Sequence, residues 1–286
     1  MFVISLDFGR LTMYDIKCDT HTHTLYSRHA YSTIKENVIE ASENGLELLA
    51  STDHFSDMLW PEYKDLKNYQ YLATAPTIWP KEWLGVTLLC GCEADIVDLS
   101  GALFGQDINI DENIVGDPIR PATLYEQVTR KMDYVIASIH GKAFTKGSSR
   151  TQLTDMYIKA LQNEKVFILG HLGRSGLDVD FREIVKAAKS LHKLLEVNEH
   201  SFEFGGDVED SITRSRCKEL LEICAEESCK ISVATDAHIS NLIGHFEQTK
   251  ILLEEVHFPE ELIAGLNKES FIKALKESGI KGRTVN

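Results

Sequence analysis

The chain contains no apolar run near the roughly 18 residues that a membrane-spanning helix requires, so it reads as a soluble protein without a membrane partner. It is short of positive charge. Thirty Lys and Arg stand against 44 Asp and Glu, for a net charge of -14 and a pI near 5.2. Non-specific binding of nucleic acid relies on clustered Lys and Arg to displace counterions, so no extended nucleic acid is expected as a partner. An anionic ligand would have to be attracted locally. The six cysteines (Cys18, Cys90, Cys92, Cys217, Cys224, Cys229) form no paired framework and follow no secretion signal, which points to reduced thiols and a cytoplasmic location. Cys90 and Cys92 sit in an apolar run and read as buried strand thiols rather than a soft metal pair. There is no Gly-x-Ser-x-Gly nucleophile elbow and no Gly-x-Gly-x-x-Gly phosphate cradle, so nothing in the motifs calls for a protein nucleophile. Internal repeats, low-complexity tracts and linkers are absent as well.

What is present alternates. The composition, 43 % hydrophobic and 26 % charged over 286 residues, suits one domain spanning 1–286. Residues 1–13 read as an extra β-segment or a leader, with Met13 an alternative start. Seven short apolar runs follow, at 16–19, 46–52, 86–92, 134–139, 166–170, 194–198 and 231–235. Runs apolar on both faces predict buried parallel strands. The amphipathic stretches 34–44, 153–163, 181–192, 209–227 and 242–256 predict the intervening helices. Strands and helices in this order require right-handed crossovers, and seven such units close most simply into an α/β barrel. Two segments break the rhythm. Residues 55–84 carry Trp60, Trp79, Trp83, Tyr63, Tyr69 and Tyr71, and read as an aromatic cover on the barrel rim that also walls a substrate pocket. Residues 98–120 read as a hairpin or irregular excursion, and 258–286 as one or two closing helices.

The chemistry begins at Asp19-Thr20-His21-Thr22-His23. Side chains two apart on a strand face the same way, so His21 and His23 can offer two imidazoles to one point. His29 follows, and later strands end at His54, Glu93, His140, His171, and Asp236 with His238. In a barrel of this kind, functional groups gather at the carboxyl ends of the strands. Mixed imidazole and carboxylate donors suit Zn²⁺, Mn²⁺ or Fe²⁺, whereas Mg²⁺ and Ca²⁺ prefer oxygen alone. Nine donors would serve three ions if one carboxylate bridges.

The order of His-Thr-His, His29, Thr52-Asp53-His54, Gly91-Cys92-Glu93, Ser138-Ile139-His140, Gly170-His171 and Thr235-Asp236-Ala237-His238 resembles the PHP family, named for polymerase and histidinol phosphatase. His29-Ala30-Tyr31-Ser32-Thr33, Asp57-Met58 and Ile78-Trp79-Pro80 look closest to its YcdX-like phosphatase branch. That branch more often has Pro where Leu172 stands here. The likeness spans about residues 14–275 and implies a distorted seven-stranded TIM-like (β/α) barrel with a trinuclear site. By the resemblance, one metal would take His21, His23, Glu93 and Asp236. A second would share Glu93 with His140 and His171, and the third would take His29, His54 and His238.

Three divalent ions set against two carboxylates leave roughly +4 in the pocket, enough to hold a phosphate dianion inside an acidic protein. The implied activity is hydrolysis of a small phosphate monoester by attack of a metal-bound water or hydroxide, with zinc the first choice and manganese or iron the alternatives. A PHP phosphodiesterase or nuclease on short nucleotides is the nearest alternative, and an amidohydrolase-like enzyme is a more distant one. A non-catalytic PHP interaction module is the alternative of another class. Arg174 and Lys142 are the candidate phosphate contacts, and Asp53 is expected to support the ligands from behind. Asn198 and Ser201 end a strand expected to supply no ligand, to meet substrate or cap a turn. His192, His200, His245 and His257 read as ordinary histidines. The branch resemblance leaves room for a homo-oligomer.

Overall fold

Seven strands whose side chains are almost all buried surround the molecule's axis: β1 (Cys18–Thr22), β2 (Leu48–Ser51), β3 (Val86–Asp95), β4 (Tyr134–Ser138), β5 (Val166–Leu169), β6 (Leu194–Asn198) and β7 (Ile231–Ala234). The computed structural model of the chain describes residues 14–57, 69–113, 115–202 and 207–284. Each strand pairs in parallel with the next in chain order. The ring closes between its first and last strands, but only at the carboxyl end. There Thr22 bridges Ala237, the His23 amide donates to the Ala237 carbonyl (2.9 Å), and the Asp236 amide donates to that of His21 (2.8 Å). At the amino end the seam is filled by the turns Glu260–Leu262 and Ala264–Leu266, with Ile263 bridged to Ile231 and the Lys17 amide bonded to the Leu266 carbonyl. This is the expected α/β architecture, a TIM-like barrel of seven strands with a distorted seam.

Helix α1 (Ile34–Glu43) follows β1, the helices α4 (Arg150–Leu161), α5 (Phe181–Ser190), α6 (Asp207–Glu227) and α7 (Glu247–Glu255) follow β4 to β7 in turn, and α8 (Lys268–Glu277) closes the barrel floor. The β2–β3 and β3–β4 connections are longer and carry α2 (Gln70–Ile78) and α3 (Leu124–Thr129). Capping boxes start several of them: Thr33 with Glu36, Thr123 with Glu126, and Ser149 with Gln152. The lower barrel is apolar. Phe271 of α8 meets the rings of Tyr134 and Phe167 edge-on at 5.9 and 5.6 Å, among Leu48, Ala50, Leu89 and Ile168. Burying each such side chain is worth about 1.5–3 kcal/mol.

Several boundaries differ from the expectation, the first strand among them, which runs over Cys18–Thr22 rather than 16–19. Strand β3 runs on to Asp95, because Glu93 and Asp95 find partners inside the barrel. The helix expected over 242–256 begins at Glu247, after a single tight turn Ser240–Leu242. The excursion after β3 is a true antiparallel hairpin, Asn109–Glu112 with Pro118–Thr123, and it leads into the unforeseen α3. The tail forms one helix and two tight turns. In the aromatic segment, Tyr69 is buried while Trp79 and Trp83 are half-buried against the core. Met58, Trp60 and Tyr63 lie outside the described residues, as do residues 1–13.

Candidate metal centre

His21 lies on β1 and His23 just past its end, and the structure brings their Nε2 atoms to 3.1 Å of each other. Asp236, past the end of β7 and across the closed seam, places Oδ1 2.9 Å from His23 Nε2 and 3.5 Å from His21 Nε2. Glu93 lies between the two halves of the cluster. Its Oε2 is 3.4 Å from His21 Nε2 and 2.7 Å from His54 Nδ1, and its Oε1 is 2.7 Å from His171 Nε2 and 3.5 Å from His140 Nε2. Towards the mouth, His29 Nε2 meets His54 Nε2 at 3.2 Å and His238 Nε2 at 3.1 Å. All nine sequence candidates thus lie in one continuous cluster. Two of them are held in an uncommon backbone conformation, His171 with φ 28° and Asp236 with φ 56°. Such conformations cost energy and persist where surrounding contacts enforce them.

The hydrogen bonds behind the rings decide which nitrogen faces the centre. A carboxylate or carbonyl can only accept, so His21 Nδ1 donates to Glu196 Oε1 (2.8 Å), His140 Nδ1 to Asp95 Oδ1 (2.6 Å) and His238 Nδ1 to the Asp236 carbonyl (2.8 Å). Ser27 gives its one hydroxyl proton to Asp53 (2.7 Å) and therefore accepts from His23 Nδ1 (2.9 Å). In each neutral ring Nε2 is left as a lone pair, and these lone pairs are the atoms that converge. Ring nitrogens that meet at 3.1–3.2 Å fit a shared cation. Two further atoms point the same way. His54 Nδ1 and Glu93 Oε2 are buried without a hydrogen-bond partner, although they lie 2.7 Å apart. Buried polar atoms are rarely left so, and a divalent ion would satisfy both.

The charge distribution agrees. Burial alone would raise the Glu93 and Asp236 carboxyls, but the surrounding imidazoles outweigh it and hold both well below the usual carboxylate range. Burial pushes His23 and His29 down, His29 to about 4, and neighbouring rings add to the effect. Against burial, Glu93 and Asp95 raise His140 to about 9, and Glu196 with Asp236 and Glu93 raises His21. Without metal, two rings therefore keep protons that a bound cation would displace.

Around the ligands, Asp53 behaves as expected. It accepts from the Thr24 amide (2.7 Å), the Thr24 hydroxyl (2.8 Å) and Ser27, and so anchors the support beneath His23. Arg174 reaches the cluster, with Nη2 3.3 Å from Asp236 Oδ2 and its side chain 27 % exposed. Lys142 is turned away to the Ser175 carbonyl (2.9 Å), on the turn that carries Arg174. Asn198 bridges the Glu196 and Asp236 carboxylates at 3.0 and 3.2 Å, while its Oδ1 accepts from the Ser201 amide and hydroxyl. The sequence reading passes over three residues. Glu196, buried on β6, accepts from His21, Asn198 and the His171 amide (2.8 Å). Asp95 orients His140 and accepts from the Ser56 hydroxyl at 2.6 Å. His200, taken as ordinary, stacks on His238 with ring centres 5.3 Å apart. A carboxylate inside the apolar run Leu194-Leu195-Glu196-Val197 and the i, i+2 spacing of Glu93 and Asp95 are the signals that could have found the first two.

The six cysteines are all free and buried, and among the described residues no helix is long and apolar enough to cross a membrane. Residues 19–205 match the PHP domain family. A probable phosphatase of Clostridium botulinum is 34 % identical over 262 residues, covering 91 % of this chain and 95 % of its own length. One from Photobacterium profundum is 32 % identical over 263 residues, covering 92 % and 95 %. In fold, the chain is similar to the histidinol phosphate phosphatase of Lactococcus lactis, whose crystal structure is complexed with zinc, L-histidinol and phosphate. The TM-score is 0.52 at 21 % identity, over 88 % of this chain and 98 % of that one. On the strength of these matches, the chain belongs to the PHP domain family.

Proposed function

We propose that this chain is a metal-dependent phosphatase that hydrolyses a small phosphate monoester at a site for three divalent ions, zinc foremost. The observation that carries the reading is the convergence of imidazole nitrogens from seven histidines around two buried carboxylates. His21, His23, Glu93 and Asp236 would hold one ion, Glu93 with His140 and His171 a second, and His29, His54 and His238 the third. Divalent ions bound there would supply Lewis acidity toward phosphoryl oxygens and lower the pKa of water. An imidazole-rich set suits zinc, and manganese and iron share the same preference in part.

The chain's own residues do the rest. Glu196, Ser27 and Asp95 fix the rings of His21, His23 and His140 in the tautomer that keeps Nε2 inward. Arg174 can release Asp236 and turn its fork toward a phosphoryl oxygen, and Lys142 steadies the turn that presents it. Relatives named as probable phosphatases support the activity, and the buried free thiols agree with a cytoplasmic setting. The chain is read as one domain organised around this centre.

Replacing His21 and His23 together by Ala tests the reading against p-nitrophenyl phosphate. Turnover should disappear while the circular-dichroism spectrum is kept, and undiminished turnover would refute it. If the double variant unfolds, His29→Ala at the exposed edge of the cluster serves instead. Faster hydrolysis of bis-p-nitrophenyl phosphate than of the monoester would favour the phosphodiesterase alternative.

A further inference from the structure

At the opposite end of the barrel, where β6 and β7 begin, lies a cavity of about 210 Å³. Lys189, His192, Lys193, Ser228, Lys230 and Glu277 line it. Three ammonium groups thus face one carboxylate, in a chain whose net charge is -14. Two of the lysines are accounted for by the fold. Lys189 donates to the Glu227 carbonyl at the end of α6 (2.6 Å), the usual role of a cation at a helix C-terminus, and Lys230 pairs with Glu277 (3.0 Å).

Lys193 is different. It is 6 % exposed, and among the described residues no hydrogen bond or ion pair engages its ammonium. Glu164 acts on it only from beyond ion-pair distance. The ammonium is not among the fully buried unpaired atoms, so with its stem buried it opens into the cavity, where its three donors are free for an acceptor. The adjoining backbone is also held in the left-handed region on both sides of the cavity, His192 with φ 54° and Ser228 with φ 53°.

We propose that this cavity is a second binding site, for a small oxyanion of the phosphate and sulfate class, on the face of the barrel remote from the metal ligands. The anion accepts from the Lys193 ammonium and shares the cavity wall with Lys189, Lys230, the His192 ring and the Ser228 hydroxyl. Occupancy places a negative charge against the three ammonium groups of the wall, and it links the stability of β6 and β7 to anion concentration. This site does not depend on the phosphatase reading. Burial pushes Lys193 down to about 8, with Glu164 opposing. Anion affinity should then weaken as pH rises past that value, in a wall whose other charged and titratable groups are Lys189, His192, Lys230 and Glu277.

The test is calorimetric titration of inorganic phosphate into the full chain, before and after chelation of metal, and into Lys193→Met and Lys193→Arg. A binding event should survive chelation, weaken at least about tenfold in Lys193→Met, and return in part with Lys193→Arg. Titration with sulfate, whose charge is constant over the range, should show the loss of affinity above about pH 8. Phosphate binding that vanishes entirely with the metal, or that is equal in Lys193→Met, overturns the proposal. Should Lys193→Met not fold, Lys230→Met is read in the same way.

Discussion

Glu196 Oε1 lies 2.8 Å from His21 Nδ1, while Glu196 Oε2 accepts from the His171 amide at the same distance. One buried carboxylate on β6 therefore orients a ring on β1 and fixes the backbone of a second candidate ligand after β5. Support of this kind behind a metal ligand typically governs 10–100-fold in metal affinity. Glu196→Ala is expected to lower zinc affinity by about that factor, measured by competition with a chromogenic chelator. Affinity unchanged from the native chain would show that His21 is held by packing alone.

Protons and metal compete for the same rings. Burial opposes protonation of His140, but Glu93 and Asp95 raise it to about 9, so at neutral pH in the metal-free protein it holds a proton that a cation must expel. Lower pH favours that proton. Apparent metal affinity should fall progressively as pH drops below about 9, and metal uptake at pH 7 should release protons to an indicator dye. Uptake without proton release would contradict the charge distribution described for the centre.

Gly91, two residues before Glu93, is constrained by close approach rather than by a turn. A Cβ added there would meet the Tyr134 carbonyl oxygen of β4 at 2.7 Å and the Thr52 side chain at 3.1 Å. Neighbouring strands cannot move apart without disturbing the pairing of Glu93 with Ile136. Gly91→Ala should destabilise the chain by about 1–3 kcal/mol in urea unfolding, with a matching loss of metal affinity. A neutral effect would mean that β3 and β4 yield more readily than their register suggests.

The seven strands are legible in the sequence because parallel strands covered on both faces must be apolar throughout, and their ends are marked by His, Glu or Asp. Eight of the nine candidate ligands come into view for the same reason: an imidazole or carboxylate closing such a run stands at the barrel mouth, whereas His29 lies in the loop after β1. What hides is set by tertiary contacts. Glu196 interrupts an apolar run rather than ending it, and its value lies in reaching His21, 175 positions away. The six residues of α3 are too few for helical periodicity to show, and only its capping box and the preceding hairpin define it. His200 carries no local signal, since its proximity to His238 follows from the adjacency of β6 and β7.

The most direct test of the account is elemental analysis of the chain purified without chelator or added metal, with p-nitrophenyl phosphate hydrolysis assayed on the same sample. A three-ion centre should give close to three divalent ions per chain, zinc foremost, and turnover that chelation abolishes and metal restores. Less than one ion per chain, with no turnover after addition of zinc, manganese or iron, would contradict it.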